Sequence, residues 1–587
     1  MWNSEVKARP GVFARRRAPP GMLNHVRIGV RRRAFVLAII ASAVTGCATF
    51  AISEGPTQSA LRNLLQPQAL AIAVNGSGES DQVLSFYRAR DFLPAWTGGT
   101  ENEAMAAEAR SILGRAADHG LLREDYSVEL AGVSLDPGTD AAQYEIAMTT
   151  AVLRYASDVG RGRVRPSDVY RDVELPVPDF DAAAALNQAV NNRSVGGFLA
   201  ALPPNHPEYH RLVEALAEYR ALDDGTAIAR IRIGDRQSTS QRRLVVAQLS
   251  LDDPDLAAQT NPTAREVRDA VQRFQARNGL AVDGIAGPKT LAALVTQSTA
   301  RIELIKANLE RWRWLPRRFE DRYVSVNVPD QSLAFNREGG QVFTSRVIVG
   351  HKSSPTPILR TNIASVKANP PWNVPGDIAA RDLLPYMRRN PNYLAERNMV
   401  LLDTLDTDPH GRLINWNEVK PSQFYYHVRQ LPGPDTALGE LMLDMPNDFD
   451  VYLHDTPTRH LFAQEDRAVS NGCIRVEDIF PLASLALAND PMAGVERIRR
   501  AIATGETQFL DLDDPLPVYL LYWTVVVSPD GNLSFPPDRY DRDQVLIEAL
   551  NAPRGASSLP ISLVSEHGSE PTTRSRALAQ INPGDAY

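Results

Sequence analysis

The chain has 587 residues, a length that predicts about three or four domains of ordinary size. It is 43% hydrophobic and 23% charged, with a formal net charge of −7, so it carries no electrostatic footprint for nucleic acid and that class of function is disfavoured. Its two cysteines, Cys47 and Cys473, stand in very different settings, which argues against a disulfide framework.

The first 47 residues have the pattern of an export signal. A basic stretch, Arg31–Arg33, precedes an apolar run of about a dozen residues, which is too short to span a bilayer that takes roughly 20 helical residues. The run ends in Val44-Thr45-Gly46-Cys47. This stretch resembles a bacterial lipoprotein signal, and the resemblance implies cleavage after Gly46 and lipid attachment at Cys47.

The residue after this cysteine, Ala48, is not the aspartate that retains lipoproteins at the inner membrane. The expected location is therefore the periplasm, with a lipid anchor in the outer membrane. An ordinary secretory signal or an uncleaved anchor, with an incidental Cys47, stays open, and so does a translation start at Met22.

Residues 48–68 are polar and unperiodic, which predicts a tether. Residues 69–230 are expected to form a mainly helical scaffold domain. Segments such as AMAAEARSILGRAADHGLL and YEIAMTTAVLRYASDVGRGRV place apolar residues three and four positions apart, as amphipathic helices do. No catalytic cluster stands out in this region.

The segment Val267–Val295 predicts two helices around a turn. Its first helix carries one apolar stripe, Gly279 stands where a left-handed C-cap belongs, and Asp283-Gly284 predicts a turn before a short helix at Pro288. The ordered combination FQ…GLAVDGIAGPKT resembles a three-helix peptidoglycan-binding domain. The resemblance places that domain at residues 231–298 and implies peptidoglycan as its partner.

Residues 301–545 change to a mainly β pattern. YVSVNVPDQSLAFN and QVFTSRVIVG alternate apolar and polar residues and predict a hairpin at Gly339-Gly340, while PVYLLYWTVVVSPDGNLSF predicts another at Asp530-Gly531. A helical stretch, ELIKANLERWRWLP, opens the domain, and residues 377–426 interrupt the β pattern as an insertion. Residues 546–587 are rich in Pro, Ser, Gly and charge, which predicts a disordered tail.

One cysteine in this β domain has the setting of a nucleophile. Cys473 follows Gly472, whose backbone freedom allows a close approach to substrate and lets peptide N–H groups point at an oxyanion. His454 follows the strand-like VYL and is the natural partner to activate the thiol. On this interpretation Cys473 reacts fast near neutral pH, and an exported protein has a reason to keep a free thiol.

Four short motifs carry a specific resemblance. WNVP (Trp372–Pro375), ALG (Ala437–Gly439), HDTP (His454–Pro457) and SNGCIRV (Ser470–Val476) resemble the L,D-transpeptidase catalytic domain in its large, multidomain periplasmic branch. The expected fold class is α+β multidomain: a mainly β catalytic domain with an inserted subdomain, a helical peptidoglycan-binding domain and a helical N-terminal scaffold.

The resemblance implies a reaction that forms 3-3 cross-links between diaminopimelate residues of peptidoglycan. Cys473 attacks a tetrapeptide donor stem, releases D-alanine and holds the stem as a thioester. His454 moves the protons, the N–H groups of Gly472 and Cys473 stabilise the oxyanion, and Ser470 orients the histidine through its backbone carbonyl.

The substrate-binding candidates are Arg475, Trp372, Tyr452 and Asn471. Arg475 either pairs with a stem carboxylate or forms a structural ion pair, and the two aromatic residues either line a groove or pack in a core. Smaller members of the family carry histidine where this chain has Asn471, which puts a role for that side chain in doubt. No metal or cofactor motif is present in the sequence.

Two alternatives stay open at this point. A Cys-His peptidoglycan endopeptidase or carboxypeptidase would share the thiol and the wall-binding module, but such enzymes usually place cysteine before histidine in the chain. A non-catalytic lipoprotein that tethers the outer membrane to the wall would need neither His454 nor Cys473.

Overall fold

The structure is a computed structural model that describes residues 54–66, 77–128, 137–176, 180–223, 239–250, 253–277, 280–403, 407–487, 491–529, 531 and 533–554. The predicted export signal with Cys47, the positions of Gly279 and Asp530, and the tail from residue 555 lie outside the described residues. Within the described part of the chain, no helix combines the length and the apolar character needed to cross a membrane.

Amphipathic helices build the scaffold around one apolar core, as the spacing of their apolar residues predicts. Phe86, Trp96 and Tyr155 are among the large side chains buried in it. The helices are α1 (Pro56–Leu64), α2 (Ser77–Ala89), α3 (Thr100–Leu113), α4 (Pro137–Arg161), α6 (Ala182–Asn191) and α7 (Val195–Ala200), with 3₁₀ turns at Ala116–His119 and Arg123–Tyr126. The short α5 (Pro166–Val169) lies instead against the core of the later β domain, where Val169 packs.

Helix α1 corrects the predicted tether at residues 48–68. Pro56 stands in its first turn, where a missing N–H is tolerated, and Leu61 and Leu65 are buried in the scaffold core. The polar residues around these leucines made the helical spacing difficult to recognise in the sequence. Residues 56–66 therefore belong to the scaffold.

Helix α8 (Pro207–Asp223) lies within the predicted scaffold, residues 69–230, but packs in a second core. Its buried Tyr209, Leu212 and Leu216 pack with Trp312 and Tyr519 of the later β domain. The core formed by the preceding helices ends at Leu202. Helix α8 therefore connects the scaffold to the β domain.

The peptidoglycan-binding segment consists of α9 (Thr239–Ser250), α10 (Pro254–Ala257), α11 (Ala264–Arg277) and the first turns of α12 (Pro288–Arg313). The predicted stripe of α11 is buried at Ala270, Val271 and Phe274. Gln275 is 1% exposed, and its amide N–H groups donate to Asp283, to the Ile285 carbonyl and to Thr290 at 2.8 to 3.0 Å. Its amide oxygen accepts from the N–H of Gly284 at 2.9 Å, so one side chain holds the whole turn.

Helix α12 joins this segment to the β domain without a break. The sequence predicted a short helix at Pro288 and a separate one after Arg301, but the structure has a single helix of 26 residues. No glycine or proline interrupts residues 289–313, so nothing in the chain stops the helix between the two domains.

The β domain is built on a sheet of ten strands among the described residues. Eight of them close into a ring because β9 (Leu441–Asp444) pairs both with β10 (Leu453–His454) and with β5 (Ile358–Ala368). The ring order is β5, β13, β2, β3, β4, β12, β10, β9, while β1 adds to β5 and β11 adds to β4. The strands in chain order are β1 (Val173–Glu174), β2 (Arg322–Asn327), β3 (Ser332–Arg337), β4 (Gly340–Gly350), β5 (Ile358–Ala368), β6 (Trp372–Val374), β7 (Met399–Leu401), β8 (Val428–Gln430), β9 (Leu441–Asp444), β10 (Leu453–His454), β11 (Ala468–Ser470), β12 (Ile474–Val476), β13 (Gln508–Leu521), β14 (Val526–Val527) and β15 (Leu533–Ser534).

Alternation along these strands separates an inner and an outer face of the ring. Val366, Leu443 and Leu453 are buried in the inner core, so the residues next to them in sequence point outward. The hairpin predicted at Gly339-Gly340 joins β3 to β4. The predicted late hairpin is shorter than expected, because β13 pairs with β5 and β2, and only β14 and β15 pair with each other.

The insertion is larger than the predicted 377–426 and has its own core. It begins at β6, ends before β9, and contains the three-stranded sheet β6-β8-β7. Buried Trp372 and Trp416 mark this core. Its helices are α13 (Gly376–Ile378), which continues through a π-helical turn at Ala379–Leu383 into α14 (Leu384–Arg389), and α15 (Tyr393–Glu396).

Helices α16 (Ile479–Leu487) and α17 (Pro491–Ile502) pack against the inner core, and α18 (Arg542–Asn551) closes the described chain. Leu546 and Leu550 of α18 are buried in that core. The prediction that a disordered tail starts at residue 546 is therefore wrong for residues 546–551.

The turn held by Gln275 gives a direct test of the peptidoglycan-binding segment. Gln275→Leu removes four hydrogen bonds and leaves buried groups unsatisfied, so we expect the free energy of unfolding of residues 239–294 to fall by about 2 to 4 kcal/mol. Hydrogen exchange of these amides in the full chain measures it. The control is Gln259→Leu at an exposed position, which should stay within about 0.5 kcal/mol. Unchanged exchange in Gln275→Leu would contradict the role of this network.

Candidate active site

The predicted nucleophile and base lie on neighbouring strands. Cys473 directly precedes β12, His454 ends β10, and these strands pair in parallel with His454 opposite Arg475. The N–H of Ile474 donates to the carbonyl of Tyr452 at 2.9 Å and locks this register. Neither Cys473 nor His454 has exposed surface. The structure therefore places these two residues on adjacent strands, and both are buried.

The ring of His454 is oriented by the backbone of the next residue. Its Nδ1 lies 2.6 Å from the carbonyl oxygen of Asp455. Because a carbonyl can only accept, Nδ1 carries the proton and Nε2 presents a lone pair. Nε2 is buried and has no hydrogen-bond partner in the structure. The imidazole is thus held in the tautomer that a general base requires.

This geometry corrects the predicted role of Ser470 as the residue that orients the histidine. The backbone carbonyl of Ser470 accepts instead from the N–H of His351 at 2.9 Å. Its hydroxyl donates to the carbonyl of Cys473 at 2.6 Å and accepts from the N–H of Gly472 at 3.2 Å. Ser470 therefore shapes the loop that carries the thiol.

Burial makes both reacting groups neutral. Desolvation raises the pKa of the Cys473 thiol to about 12, although a backbone hydrogen bond at Tyr452 and the charge of Arg475 act in the opposite direction. Desolvation lowers the pKa of His454 to about 3, and the charge of Arg475 adds to this effect. Both shifts favour the neutral thiol and the neutral imidazole, and the expectation that Cys473 reacts fast near neutral pH stays a prediction.

The nucleophile loop, Ser470–Cys473, turns sharply at its glycine. Gly472 has φ +115°, a conformation that side-chain-bearing residues rarely adopt. Since the N–H of Gly472 is bonded to Ser470, an oxyanion would have to displace that hydroxyl to use this donor. The oxyanion role of Gly472 stays a prediction.

A second loop, residues 351–356, wraps the nucleophile loop and was missed in the sequence. The hydroxyl of Thr356 donates to the carbonyl of Gly472 at 2.8 Å, and that of Ser354 donates to the carbonyl of Asn471 at 3.2 Å. Tyr540 donates to the carbonyl of Gly350 at 2.6 Å, just before this loop. The Ser-Ser-Pro-Thr run indicated a loop but carried no signal of which backbone groups it would bind.

The ALG and HDTP motifs meet through one carboxylate. Asp455 accepts from the N–H of Glu440 at 3.0 Å and from Arg459 at 2.8 Å. Gly439 has φ +60°, and a Cβ there would collide with this carboxylate. Glycine is therefore required for Asp455 to hold the position from which its carbonyl orients His454.

Arg475 lies beneath the pair. It is 2% exposed, and its Nη1 donates to the hydroxyl of Thr458 at 2.9 Å. Burial lowers its pKa to about 10, and the Cys473 thiol acts in the opposite direction. This position gives Arg475 an electrostatic effect on both reacting groups and keeps its charged end away from the solvent where a substrate arrives.

A groove of about 690 Å³ runs between the insertion and the outer face of the ring. Tyr452 lines this groove, which agrees with the first of its two predicted positions, groove or core. Asp450 also lines it, and the carbonyl of Asp450 lies 3.8 Å from the sulfur of Cys473. Asp450 has φ +52°, a strained conformation for a residue with a side chain. The groove therefore ends at the turn that contacts Cys473, and Cys473 itself is buried behind it. Its lining residues are Lys367, Pro371, Asn373, Val374, Pro375, Gly376, Phe424, Tyr425, Tyr426, His427, Leu438, Met442, Asp450 and Tyr452.

Two predicted substrate contacts are not in this groove. Trp372 is completely buried in the insertion core, so its predicted place in the groove is wrong. Asn471 is 2% exposed, and its side-chain oxygen accepts from Arg381 of the insertion at 3.3 Å. Asn471 thus connects the nucleophile loop to the insertion. Among the described residues, no cluster of three or more His, Cys, Asp and Glu side chains could hold a metal ion.

The raised thiol pKa predicts the reactivity of Cys473 without substrate. We expect alkylation by a small reagent to be slow at pH 7 and to accelerate about tenfold per pH unit, because only the thiolate reacts. No plateau should appear below about pH 11. Mass spectrometry of the intact protein measures the rate, and denatured protein, whose thiol titrates near pH 8.5, is the control. A plateau near pH 7 in the folded protein would show an ionised pair.

The lowered pKa of His454 predicts a loss of stability in acid. An unfolded histidine titrates near pH 6.5, so between that pH and about 3 the unfolded chain holds a proton that folded His454 lacks. The free energy of unfolding should therefore fall as the pH decreases, by roughly 1.4 kcal/mol per pH unit more than in His454→Gln. Chemical denaturation at pH 6, 5 and 4 measures this difference.

The matched comparison cancels other groups in this range. His119 and His206, whose pKa values are also lowered by burial, titrate in both proteins. Equal slopes for the two proteins would mean that the native His454 is not held neutral.

Comparison with known proteins places the domains along the chain. Residues 321–493 match the family model described as "L,D-transpeptidase catalytic domain", residues 81–216 match a "Scaffold domain", and residues 240–294 match a "Putative peptidoglycan binding domain". A protein of Haemophilus influenzae described as "Putative L,D-transpeptidase" is 38% identical over 231 residues, 39% of this chain and 46% of that protein. The chain thus spans less than half the length of this curated relative.

A solved structure described as the Ldtfm–avibactam carbamoyl enzyme aligns over 38% of this chain and 62% of that chain, at 11% identity and a TM-score of 0.16. A likeness at this level carries no weight for the fold. The family matches, together with the ring of strands and the helical segments before it, confirm the predicted family and the α+β multidomain class. Residues 321–493 of this chain therefore match an L,D-transpeptidase catalytic domain, preceded by segments that match a scaffold domain and a peptidoglycan-binding domain.

Proposed function

We propose that this protein is a peptidoglycan L,D-transpeptidase that uses Cys473 as nucleophile and His454 as general base. The observation that carries the proposal is the state of His454. Its Nδ1–H is fixed on the Asp455 carbonyl, and its buried, unpartnered Nε2 belongs to the strand beside the thiol. A buried acceptor without a hydrogen bond is unfavourable for folding, so its presence here supports a catalytic role for this nitrogen.

The acylation step begins with a neutral thiol. Nε2 of His454 takes the proton from Cys473 as sulfur attacks the carbonyl carbon at the L-centre of diaminopimelate in a tetrapeptide stem. The tetrahedral intermediate collapses when the amide C–N bond breaks and the imidazolium gives its proton to the departing nitrogen. D-Alanine leaves, and the stem stays on the enzyme as a thioester.

The second step forms the cross-link. The amine at the D-centre of a neighbouring diaminopimelate attacks the thioester carbonyl, and Nε2 of His454 takes the proton that the amine loses. The C–S bond breaks, sulfur recovers the proton, and the new amide joins the two stems in a 3-3 link. Both steps leave the enzyme as it began.

A neutral resting pair suits this sequence of proton transfers. An imidazole that stays unprotonated at neutral pH is always ready to accept the thiol proton, and the buried charge of Arg475 favours negative charge on sulfur as the bond forms. The thiol therefore keeps its proton until substrate arrives, and His454 removes that proton in the acylation step.

The site of action that we propose is the periplasmic face of the outer membrane. The leader pattern that ends in Cys47 supports export and a lipid anchor, and the match at residues 240–294 supports a hold on the wall. An enzyme held both by a lipid anchor in the outer membrane and by a wall-binding domain would act where the local concentration of stem peptides is high.

Cys473→Ala tests the reaction. We expect the full chain to convert tetrapeptide-containing wall fragments into 3-3 linked products with release of D-alanine, and Cys473→Ala to form less than about a thousandth as much because the acyl-enzyme cannot form. Liquid chromatography with mass spectrometry resolves the products. Binding of the variant to purified wall sacculi, which should be unchanged, is the control.

The same products separate the alternatives. Tripeptide stems formed by hydrolysis alone would identify an endopeptidase or carboxypeptidase. Wall binding by the natural chain without any product would identify a tethering protein. Cross-linking that survives in Cys473→Ala would exclude the proposed nucleophile.

A further inference from the structure

We infer that Thr356 is a positioning residue for acylation, because its hydroxyl fixes the direction in which the N–H of Cys473 points. That N–H is one of the two oxyanion donors predicted from the sequence. The inference rests on the proposed function, since it concerns the same reaction at the same thiol. Thr356 lies in the 351–356 loop, outside the four motifs that indicated the family.

The hydroxyl of Thr356 binds two backbone groups, and their chemistry decides where its hydrogen lies. The oxygen accepts from the N–H of Gly350 at 2.9 Å and is 2.8 Å from the carbonyl oxygen of Gly472. Because a carbonyl can only accept, the hydroxyl hydrogen points to Gly472. Thr356 has no exposed surface, so water does not compete for this hydrogen bond.

The orientation of the Gly472 carbonyl sets that of the Cys473 N–H. The two groups belong to one planar trans peptide unit, in which C=O and N–H point in opposite directions. Glycine restricts its own backbone torsions less than any other residue, so the bond from Thr356 supplies a restraint that Gly472 lacks. A hydrogen bond to the carbonyl also polarises the peptide and makes its N–H a stronger donor.

The neighbouring peptide groups are committed to contacts within the protein. The N–H of Gly472 donates to the Ser470 hydroxyl at 3.2 Å, and the N–H of Ile474 donates to the Tyr452 carbonyl at 2.9 Å. The carbonyl of Cys473 accepts from the Ser470 hydroxyl at 2.6 Å. Of the two donors predicted from the sequence, these contacts favour the N–H of Cys473 over that of Gly472, and Thr356 acts on the peptide unit that carries it.

The loop around Thr356 is itself held in place. The hydroxyl of Tyr540 accepts from the N–H of Thr356 at 3.3 Å and donates to the carbonyl of Gly350 at 2.6 Å. A Cβ on Gly350 would lie 2.8 Å from the nitrogen of Thr356 and 3.0 Å from the Cα of Gly472, so the backbone of β4 packs directly against both loops. The Thr356 hydroxyl is therefore preorganised, as electrostatic stabilisation of a transition state requires.

The test separates acylation from alkylation of Cys473 in the full chain. Acylation by a tetrapeptide donor or by 4-nitrophenyl acetate passes through an oxyanion, whereas alkylation by iodoacetamide does not. Intact mass and peptide mapping follow the modification of Cys473 against time and reagent concentration. For the tetrapeptide, these data separate the half-saturating concentration from the limiting rate.

We expect Thr356→Val, which replaces the hydroxyl by a methyl group, to lower the limiting rate of acylation about tenfold with either acyl donor. The half-saturating concentration of the tetrapeptide should stay within about twofold, because the oxyanion forms only in the transition state. Alkylation should also stay within about twofold, because it needs only the thiolate. Thr356→Ser keeps the hydroxyl and should acylate within about threefold of the natural rate.

Thr149→Val is the matched control for a loss of stability. Thr149 is also completely buried, and its hydroxyl forms hydrogen bonds with Tyr87 and Trp96 at 2.8 Å in the scaffold core. Thermal unfolding should show that this variant is destabilised like Thr356→Val, while its acylation and alkylation rates stay natural. If Thr356→Val does not fold, Thr356→Ala also lacks the hydroxyl and should show the same selective loss of acylation.

The outcomes separate the two proposals. If the variants without the hydroxyl acylate at the natural rate, or lose alkylation as much as acylation, Thr356 does not position an oxyanion donor and the inference is overturned while the transpeptidase assignment stands. If the natural chain forms no acyl-enzyme with the tetrapeptide, the proposed function fails, and 4-nitrophenyl acetate still decides the role of Thr356.

Discussion

Exclusion of water from Cys473 and His454 is the constraint on which the rest of the site depends. Burial removes the charge from both groups, so the protein must fix the proton by geometry instead of by an ion pair. The Asp455 carbonyl does this for the ring, and the Gly439 backbone makes room for Asp455. The space left by Gly439 thus allows the position of Asp455, whose carbonyl binds Nδ1–H and leaves the lone pair of Nε2 without a partner in the structure.

The buried Arg475 completes this arrangement. A buried cation is unfavourable for folding unless it is compensated, and its field at this site disfavours an imidazolium and favours a thiolate. The resting protein therefore keeps a positive potential where, on the proposed mechanism, negative charge develops during attack. Such an electrostatic environment is already in place before the reaction and needs no rearrangement.

Much of the fold and part of the candidate site could be predicted from the sequence, because the informative features were local. The FQ…VDG…T pattern encodes the Gln275 network within 16 residues, and the spacing of His454 and Cys473 follows two adjacent strands. Helix α1 was missed because two buried leucines among polar residues give a weak signal. The roles of the Asp455 carbonyl and of the 351–356 loop could not be predicted, since they follow from strand register and from a ring closed by β9, and neither is visible in the residues themselves.

The unbroken helix α12 also sets a phase relation between two domains. Its 26 residues give a rod of about 39 Å, in which each residue adds about 1.5 Å of length and about 100° of rotation. One inserted residue would hardly change the reach from wall-binding module to catalytic ring, but it would swing the module about a quarter of the way round the axis. The length of the helix therefore fixes how the segment that matches a peptidoglycan-binding domain is rotated about the helix axis relative to the catalytic ring.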